Sequence, residues 1–513
     1  MTLITRRAMI AAPAFLTLAA RGWAAGSDYP FKLGVASGDP SPDGMVLWTR
    51  LAPDPRAPDG GMGSRKVPVH WELAADEHFA HVVRRGEAVA EPAWGHSIHV
   101  EPTGLAPDRT YWYRFIAGGE TSPVGRTRTA PAPGAMVDRL RFTFCSCQKY
   151  EPGYYAAYHH MVADDPDLIL FLGDYIYEKN GEGNANVRAH DLPEALDVPT
   201  YRQRYAVYKT DPLLQAAHHA APWATTWDDH EVANDYDLFL DEFNSDPVAF
   251  VKRRAAAYHV YWENMPLRAS SRPAADGTTQ LYRTLDWGAL AQFQILDDRQ
   301  YRGPRPCQPP ELAAKHIPYV KLVEDCPDLH ADRTMLGRTQ EAWLGNVLRR
   351  TPARWNIIAQ QTIMSTLKRV NPDNEKGPIV YSADVWAGYP VARDRVIGTW
   401  RDTRASNPFA IGGDIHSFEA ADMRLTPDGP AIGAEFVGGS VTSLFHDPYL
   451  KQEAKRSGVL YAENEVRGYG RADVSAKETV MTFRGLANAL DLNSGISDIA
   501  RFTIEAGRPG IQV

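Results

Sequence analysis

The chain is 513 residues long, 44% apolar and 23% charged, with a formal net charge of −8. That length exceeds one ordinary domain and the composition is globular, so two domains with sizeable cores are expected. The acidic balance argues against generic nucleic-acid binding, which relies on Lys and Arg to neutralise phosphates.

The first segment, MTLITRRAMIAAPAFLTLAARGWAA, pairs Arg6-Arg7 with an apolar stretch from Ala8 to Ala20. As a helix the stretch is too short for a bilayer core of roughly 30 Å, so residues 1–25 read as a cleaved signal. The paired arginines resemble the leader of the twin-arginine export route, which carries folded proteins; a general secretory leader is the alternative. The pattern Gly22-Trp23-Ala24-Ala25 puts cleavage near Ala24 or Ala25 without fixing the bond. Losing the leader removes three arginines and no acids, which takes the charge from −8 to −11. No later segment has 18 uninterrupted apolar residues, so a periplasmic or secreted protein without a membrane span is expected.

From Phe31 to Thr129 short alternating segments such as MVLWTRL and VPVHWEL are broken by turns, which predicts a β-sandwich over residues 28–132. The stretch Gly104 to Arg114, GLAPDRTYWYR, resembles the strand-joining corner of fibronectin type III domains, where a tyrosine hydroxyl ties back to the backbone. The Pro- and Ala-rich TAPAPGAM, residues 129–136, reads as a linker. Beyond it, over 138–513, apolar strand-like runs alternate with helix-length stretches, which predicts an α/β domain with helices covering a sheet.

Four cysteines fall into two pairs. Cys307 and Cys326 lie in a Pro-rich region, and closing that loop with a disulfide would contribute roughly 3 kcal/mol. Cys145 and Cys147 are two apart on a predicted strand and share a face, which suits a metal ligand better than a disulfide. Cys147 is nearer the strand's exit and is the expected ligand, with Cys145 as the alternative.

Five apolar runs end in groups able to hold a metal. These are Cys147 after RFTFCSC, Asp174 and Tyr177 in LILFLGDYIY, Asp228-Asp229-His230 with Asn234 in WATTWDDHEVAND, Gln360-Gln361 after WNIIA, and Asp414 with His416 in FAIGGDIH. Ligand sites in α/β sheets lie at the carboxyl ends of strands, so five such ends form a pattern where one would be a turn or helix cap. The doublets His159-His160 and His218-His219 have no such setting and read as structural. A serine-hydrolase reading fails because Ser146 and Ser417 lack the Gly-x-Ser-x-Gly elbow.

The strand ends resemble the metallophosphoesterase plan of Asp-x-His, Gly-Asp, Gly-Asn-His and Gly-His-x-His. Its departures, together with CSCQKYEPGYYAAYHHM, DLILFLGDYIYE, YRQRYAVYKTDPLLQAAH, WDDHEVAND, ILDDRQYR and GGDIHSFEA, resemble the PhoD family of alkaline phosphatases and phosphodiesterases. The resemblance implies a four-layer αββα catalytic domain behind the fibronectin III- or immunoglobulin-like sandwich, holding Fe(III) and Ca(II). A thiolate from Cys147 and a phenolate from Tyr177 suit ferric iron, while Asp229, Asn234 and Asp414 suit calcium, which takes oxygen ligands. Asp174 falls at the position of the bridging carboxylate, and a metal-bound hydroxide is the expected nucleophile. A zinc or other divalent pair is the alternative.

His230 is the candidate acid for the leaving alkoxide, and His416 a ligand or phosphate contact. Arg202, Arg204 and Arg299 are candidate phosphate-binding cations. The expected activity is hydrolysis of phosphate monoesters, diesters or both, with a phospholipase D-like or teichoic-acid-type diesterase as runner-up. A non-enzymatic surface module that binds a polymer is the reading from another class. Loops 179–200, 302–332 and 444–490 would build the pocket walls.

Overall fold

A computed structural model of the chain describes residues 29–181 and 186–512; the expected signal segment lies outside them. Two large sheets face one another. The first has nine strands in the order Ile496–Glu505, Glu478–Leu486, Gly468–Val474, Leu140–Cys145, Leu168–Phe171, Trp223–Thr225, Val35–Ser41, Gly44–Arg50 and Ser97–Val100. The second has seven, in the order Arg283–Trp287, Ala291–Ile295, Trp355–Ala359, Pro408–Gly412, Gly433–Gly438, Phe418–Met423 and Tyr461–Glu463.

Strand alternation explains the layering. Leu140, Phe142 and Phe144, with Leu168 and Leu170, point inward to meet Phe293, Ile357, Phe409 and Phe436 of the opposite sheet. Their neighbours Cys145, Ile169 and Phe171 point outward under the helices Ala156–Ala163, Val198–Lys209, Pro212–Ala220 and Pro247–Asn264. Ile358 and Ala410 do the same on the other side, under Gly337–Arg350 and Pro390–Thr403. The result is the expected αββα arrangement, with strands apolar on both faces because both are covered. The central strands of each sheet run parallel, so their carboxyl ends gather at one rim.

The N-terminal region is a sandwich, though its two sheets differ in kind. One consists of Val82–Ala90, Val67–Ala74 and Thr110–Ala117, the last also pairing Glu120–Thr121 and Gly125–Arg128. The other, Val35–Ser41, Gly44–Arg50 and Ser97–Val100, is the far end of the nine-stranded sheet. Val69, Leu73, Tyr113 and Phe115 pack across to Val35, Leu47 and Ile98. Tyr111 forms the corner, its hydroxyl oxygen accepting the Ala106 N–H at 3.1 Å. The linker thus separates two sequence segments without separating two sheets. The join is a parallel pairing of Gly38 with Trp223, where a Cβ on Gly38 would lie 2.3 Å from the Pro266 carbonyl oxygen.

The sandwich also meets the helix Pro247–Asn264 through a polar seam. Arg50 donates to Gly95 O at 2.8 Å and Asn264 Oδ1 at 3.3 Å, and Trp48 Nε1 donates to Glu263 O at 2.9 Å. Glu263 accepts Arg202 Nε at 2.8 Å and faces His259 at 2.9 Å. His99 Nε2 donates to the Trp262 and Met265 carbonyls, each at 3.0 Å, and its ring stacks on Trp262. Elsewhere the structure joins Cys307 to Cys326 by a disulfide, with Cα atoms 6.3 Å apart.

Candidate metal centre

The site forms where strands end and the chain turns sharply. Cys147 follows Leu140–Cys145 with φ 59°, Asp174 follows Leu168–Phe171 with φ 58°, and Asp414 and His416 follow Pro408–Gly412 with φ 67° and 55°. Non-glycine residues in this left-handed region cost of order 1–3 kcal/mol each, and such strain concentrates at functional sites. Gly173, at φ 113°, lets this turn approach the next strand end: a Cβ there would sit 2.3 Å from Asp228 Cβ. Glu231, buried, clamps the two turns by accepting the N–H groups of Asp174, Tyr175 and Asp228 at 3.1, 2.7 and 2.9 Å.

One half of the site is a thiol and a phenol. Candidate ligand atoms of Cys147, Asp174 and His416 all lie within 4.8 Å of one another. Tyr177 reaches back three residues to donate to Asp174 Oδ2 at 2.9 Å; its hydroxyl also lies 3.1 Å from His416 Nε2 and 2.7 Å from Ser443 Oγ. Cys145, by contrast, belongs to the helix-covered core beside Tyr158.

The other half is acidic. Asp174 groups with Asp229 and His230, and Asp229 groups again with Asp228 and Asp414, and with Asp235 and Asp384. The His230 N–H lies 3.3 Å from Asp174 Oδ1 and 2.9 Å from Asp229 Oδ1, while its ring Nδ1 lies 2.6 Å from Glu178. Thr362 Oγ1 donates to Asp414 at 2.6 Å. Arg299 threads this cluster, fully buried: Nε donates to Asp228, Nη1 to Asp384 at 2.7 Å, and Nη2 lies 3.9 Å from Asp229 and 3.8 Å from Asp414.

Burial pushes the Asp174 and Asp414 carboxyls well above the usual range, reinforced by Asp229 and Asp228 respectively, and carries Asp228 to about 7. Burial and the Asp174 charge likewise push up the Cys147 thiol and the Tyr177 phenol. Against its own burial, Asp229 is held low by Arg299 and His230. Asp228 Oδ2 and Arg299 Nη2 are buried without a hydrogen-bond partner. Acids, a thiol and a phenol crowded in a dry site are unfavourable alone and become favourable around a cation, which deprotonates its ligands. The donor set therefore fits a metal.

Not every expected residue arrives here. Arg202 is committed to Glu263 at the seam, and among the described residues no hydrogen bond or ion pair brings it to the acidic cluster. Arg204 binds His190, Asn180 and Pro193 O instead. Asn234 gives its amide to Glu242 at 2.8 Å, and among the described residues no hydrogen bond ties it to Asp229 or Asp414. Gln360 and Gln361 spend their amides on Thr362, Trp386, Thr226, Leu296 and Asp298, and so brace the strand ends. Sequence reasoning overlooked Asp235, Asp384, Glu178 and Glu231 as members or braces of the site. His218 and His160 are structural, bonded to Tyr175 and Ser494 O.

Two facing sheets with an acidic, thiol-bearing cluster at their strand ends define a metallophosphoesterase-like hydrolase. The chain belongs to the PhoD-like phosphatase family: the model of that family matches residues 142–483 and the model of its N-terminal domain residues 17–131. It is 42% identical over 501 residues to alkaline phosphatase D of Bacillus subtilis (strain 168), covering 95% of this chain and 82% of that protein. A solved structure of PhoD superposes with a TM-score of 0.88 at 40% identity, covering 98% of this chain and 93% of the other. The protein is thus an alkaline phosphatase-type hydrolase acting on phosphoric ester bonds.

Proposed function

We propose that the chain is an exported phosphoesterase that hydrolyses phosphate monoesters, diesters or both at a mixed Fe(III)/Ca(II) centre. The observation that carries this reading is the sharing of Asp174: Oδ2 accepts the Tyr177 hydroxyl in one half, and Oδ1 faces the His230 N–H in the other. A carboxylate with one oxygen in each cluster suits a bridge between two cations. Cys147, Asp174 and Tyr177 would hold the iron, and Asp174, Asp229 and Asp414 the calcium, with Asp228, Asp235 and Asp384 as further oxygen donors. Bound there, the cations supply Lewis acidity that activates water and neutralises phosphoryl charge.

The chain's own residues do the rest. Glu178 engages His230 Nδ1, which leaves Nε2 to pass a proton to the departing alkoxide. His416 contacts the phosphate or completes the ligand set beside Tyr177. Arg299 holds Asp228 and Asp384 in place, and its Nη2, which makes no hydrogen bond and lies 3.9 Å from Asp229 and 3.8 Å from Asp414, is the candidate donor to a phosphate oxygen. The disulfide supports an oxidising, periplasmic or secreted location, as does the Arg6-Arg7 leader. Among the described residues no helix is long and apolar enough to cross a membrane.

Elemental analysis of the exported protein, combined with hydrolysis of p-nitrophenyl phosphate and its bis-ester, tests the reading. Iron and calcium accompanying activity are expected; active protein lacking both sinks the mixed centre. In Tyr177→Phe, iron and any charge-transfer colour should fall, with activity down about 10–100-fold. Unchanged iron would remove the phenol from the ligand set.

A further inference from the structure

The centre opens into a cavity of about 640 Å³ that includes Asp235, Asp384 and Asp414. That is in the range of pockets for drug-sized ligands, roughly 300–1,000 Å³, and far more than one phosphoryl group requires. Tyr319, Phe445 and Tyr449 line it as well. Phe445 is 46% exposed, and its ring centroid lies 6.4 Å from that of His416.

A single exposed phenylalanine is ordinary, so its support matters. On one side, Ser443 Oγ lies 2.8 Å from Cys147 O and 2.7 Å from the Tyr177 hydroxyl. On the other, the Asp447 carboxylate takes Arg369 and the Tyr449 N–H at 2.9 Å, while Asn464 donates to Asp447 O at 3.0 Å. Phe445 therefore stands on a short span anchored at both ends, one anchor being the metal centre. A span whose backbone is held in place before the ligand arrives loses little further freedom on binding.

We propose that Phe445 is the specificity-determining residue that receives the non-leaving group of the ester. The favoured substrate is a phosphate diester in which that group is a flat aromatic ring, stacked on Phe445 among Tyr319 and Tyr449, in preference to a small alcohol. The inference rests on the phosphoesterase reading above. A monoester offers only charged oxygens on that side, and these gain nothing from an aromatic wall.

The test holds the leaving group constant as p-nitrophenolate and compares phenyl with methyl as the other substituent, using metal-replete protein. Wild type should favour the phenyl diester by about tenfold in kcat/KM, the worth of one aromatic pair with its contact area. Phe445→Ala should erase that preference through KM and leave the methyl diester within about twofold, with metal content and melting unchanged; Phe445→Tyr should restore it. No phenyl preference in wild type, or equal losses on both esters in Phe445→Ala, overturns this inference alone. Hydrolysis of neither ester by wild type overturns the phosphoesterase reading and this inference with it.

Discussion

At the seam, Glu263 meets Arg202 and His259, Arg50 meets Gly95 and Asn264, and His99 meets two carbonyls. At the metal centre, Asp228 Oδ2, both Asp298 oxygens and Arg299 Nη2 are buried without a hydrogen-bond partner, and five non-glycine residues, Cys147, Asp174, Asp235, Asp414 and His416, adopt left-handed backbone. Both regions bury charge, but the seam pairs its acid with bases and leaves only imidazole nitrogens such as His99 Nδ1 unpartnered, whereas the centre crowds its acids together. The difference teaches where to look for function: matched charge holds two parts of a protein together, whereas unmatched charge waits for a ligand.

Breaking the crowded side should give the largest effect. In Asp174→Asn both clusters lose their shared carboxylate, so activity should fall at least about 10⁴-fold, equivalent to about 5.5 kcal/mol, with loss of bound metal by elemental analysis. The metal-free chain should be no less stable in urea, because a buried, repelling acid has been removed. Lower stability of that metal-free variant would count against the contrast.

The matched side should respond in the opposite sense. Glu263→Ala leaves Arg202 and Arg50 without their buried counter-charge and should cost about 3–5 kcal/mol in denaturant titrations. The activity of the folded fraction should be unchanged, since Glu263 lies outside the centre. A comparable loss of kcat in fully folded protein would show that the seam is part of the catalytic apparatus.

A smaller effect sharpens the comparison through pH. Burial lowers His99 to about 4, against the backbone bonds to Met265 and Trp262 and the charge of Glu263, which favour its protonated form; Arg272 adds to the lowering. The unfolded chain protonates this residue near 6.5, so its contribution is complete above that pH and declines as pH falls toward 4. The loss should reach about 2 kcal/mol at pH 5 and about 3 kcal/mol below pH 4. His99→Gln should flatten this part of the stability profile measured by urea unfolding, and an undiminished slope would assign the effect to other groups.

Much of this was legible where chemistry and spacing were local. LILFLGDYIYE carries both the apolar strand and the Asp174–Tyr177 pair, and tertiary contacts only aligned them with Cys147. Asp235 was not legible beside Asn234 because the segment after Trp227 is a turn, where spacing does not reveal which neighbour faces Asp229; Asp229 Oδ2 accepts the Asp235 N–H at 2.6 Å. Asp384 was invisible because a lone acid after the three-residue strand Val380–Ser382 carries no signal. Arg202 was a candidate only as a cation in YRQRY, and which acid a cation meets cannot be read from its own segment.

The meeting of Gly38 with Trp223 has a consequence for the sheet as a whole. Without the sandwich, Trp223–Thr225 would be an exposed parallel edge with unspent N–H and C=O groups, a template for pairing with another chain. The appended strands move that edge outward to Ser97–Val100, four residues long, where it is short and half-covered. The N-terminal strands thereby take up the flank of Trp223 that would otherwise be open to another chain.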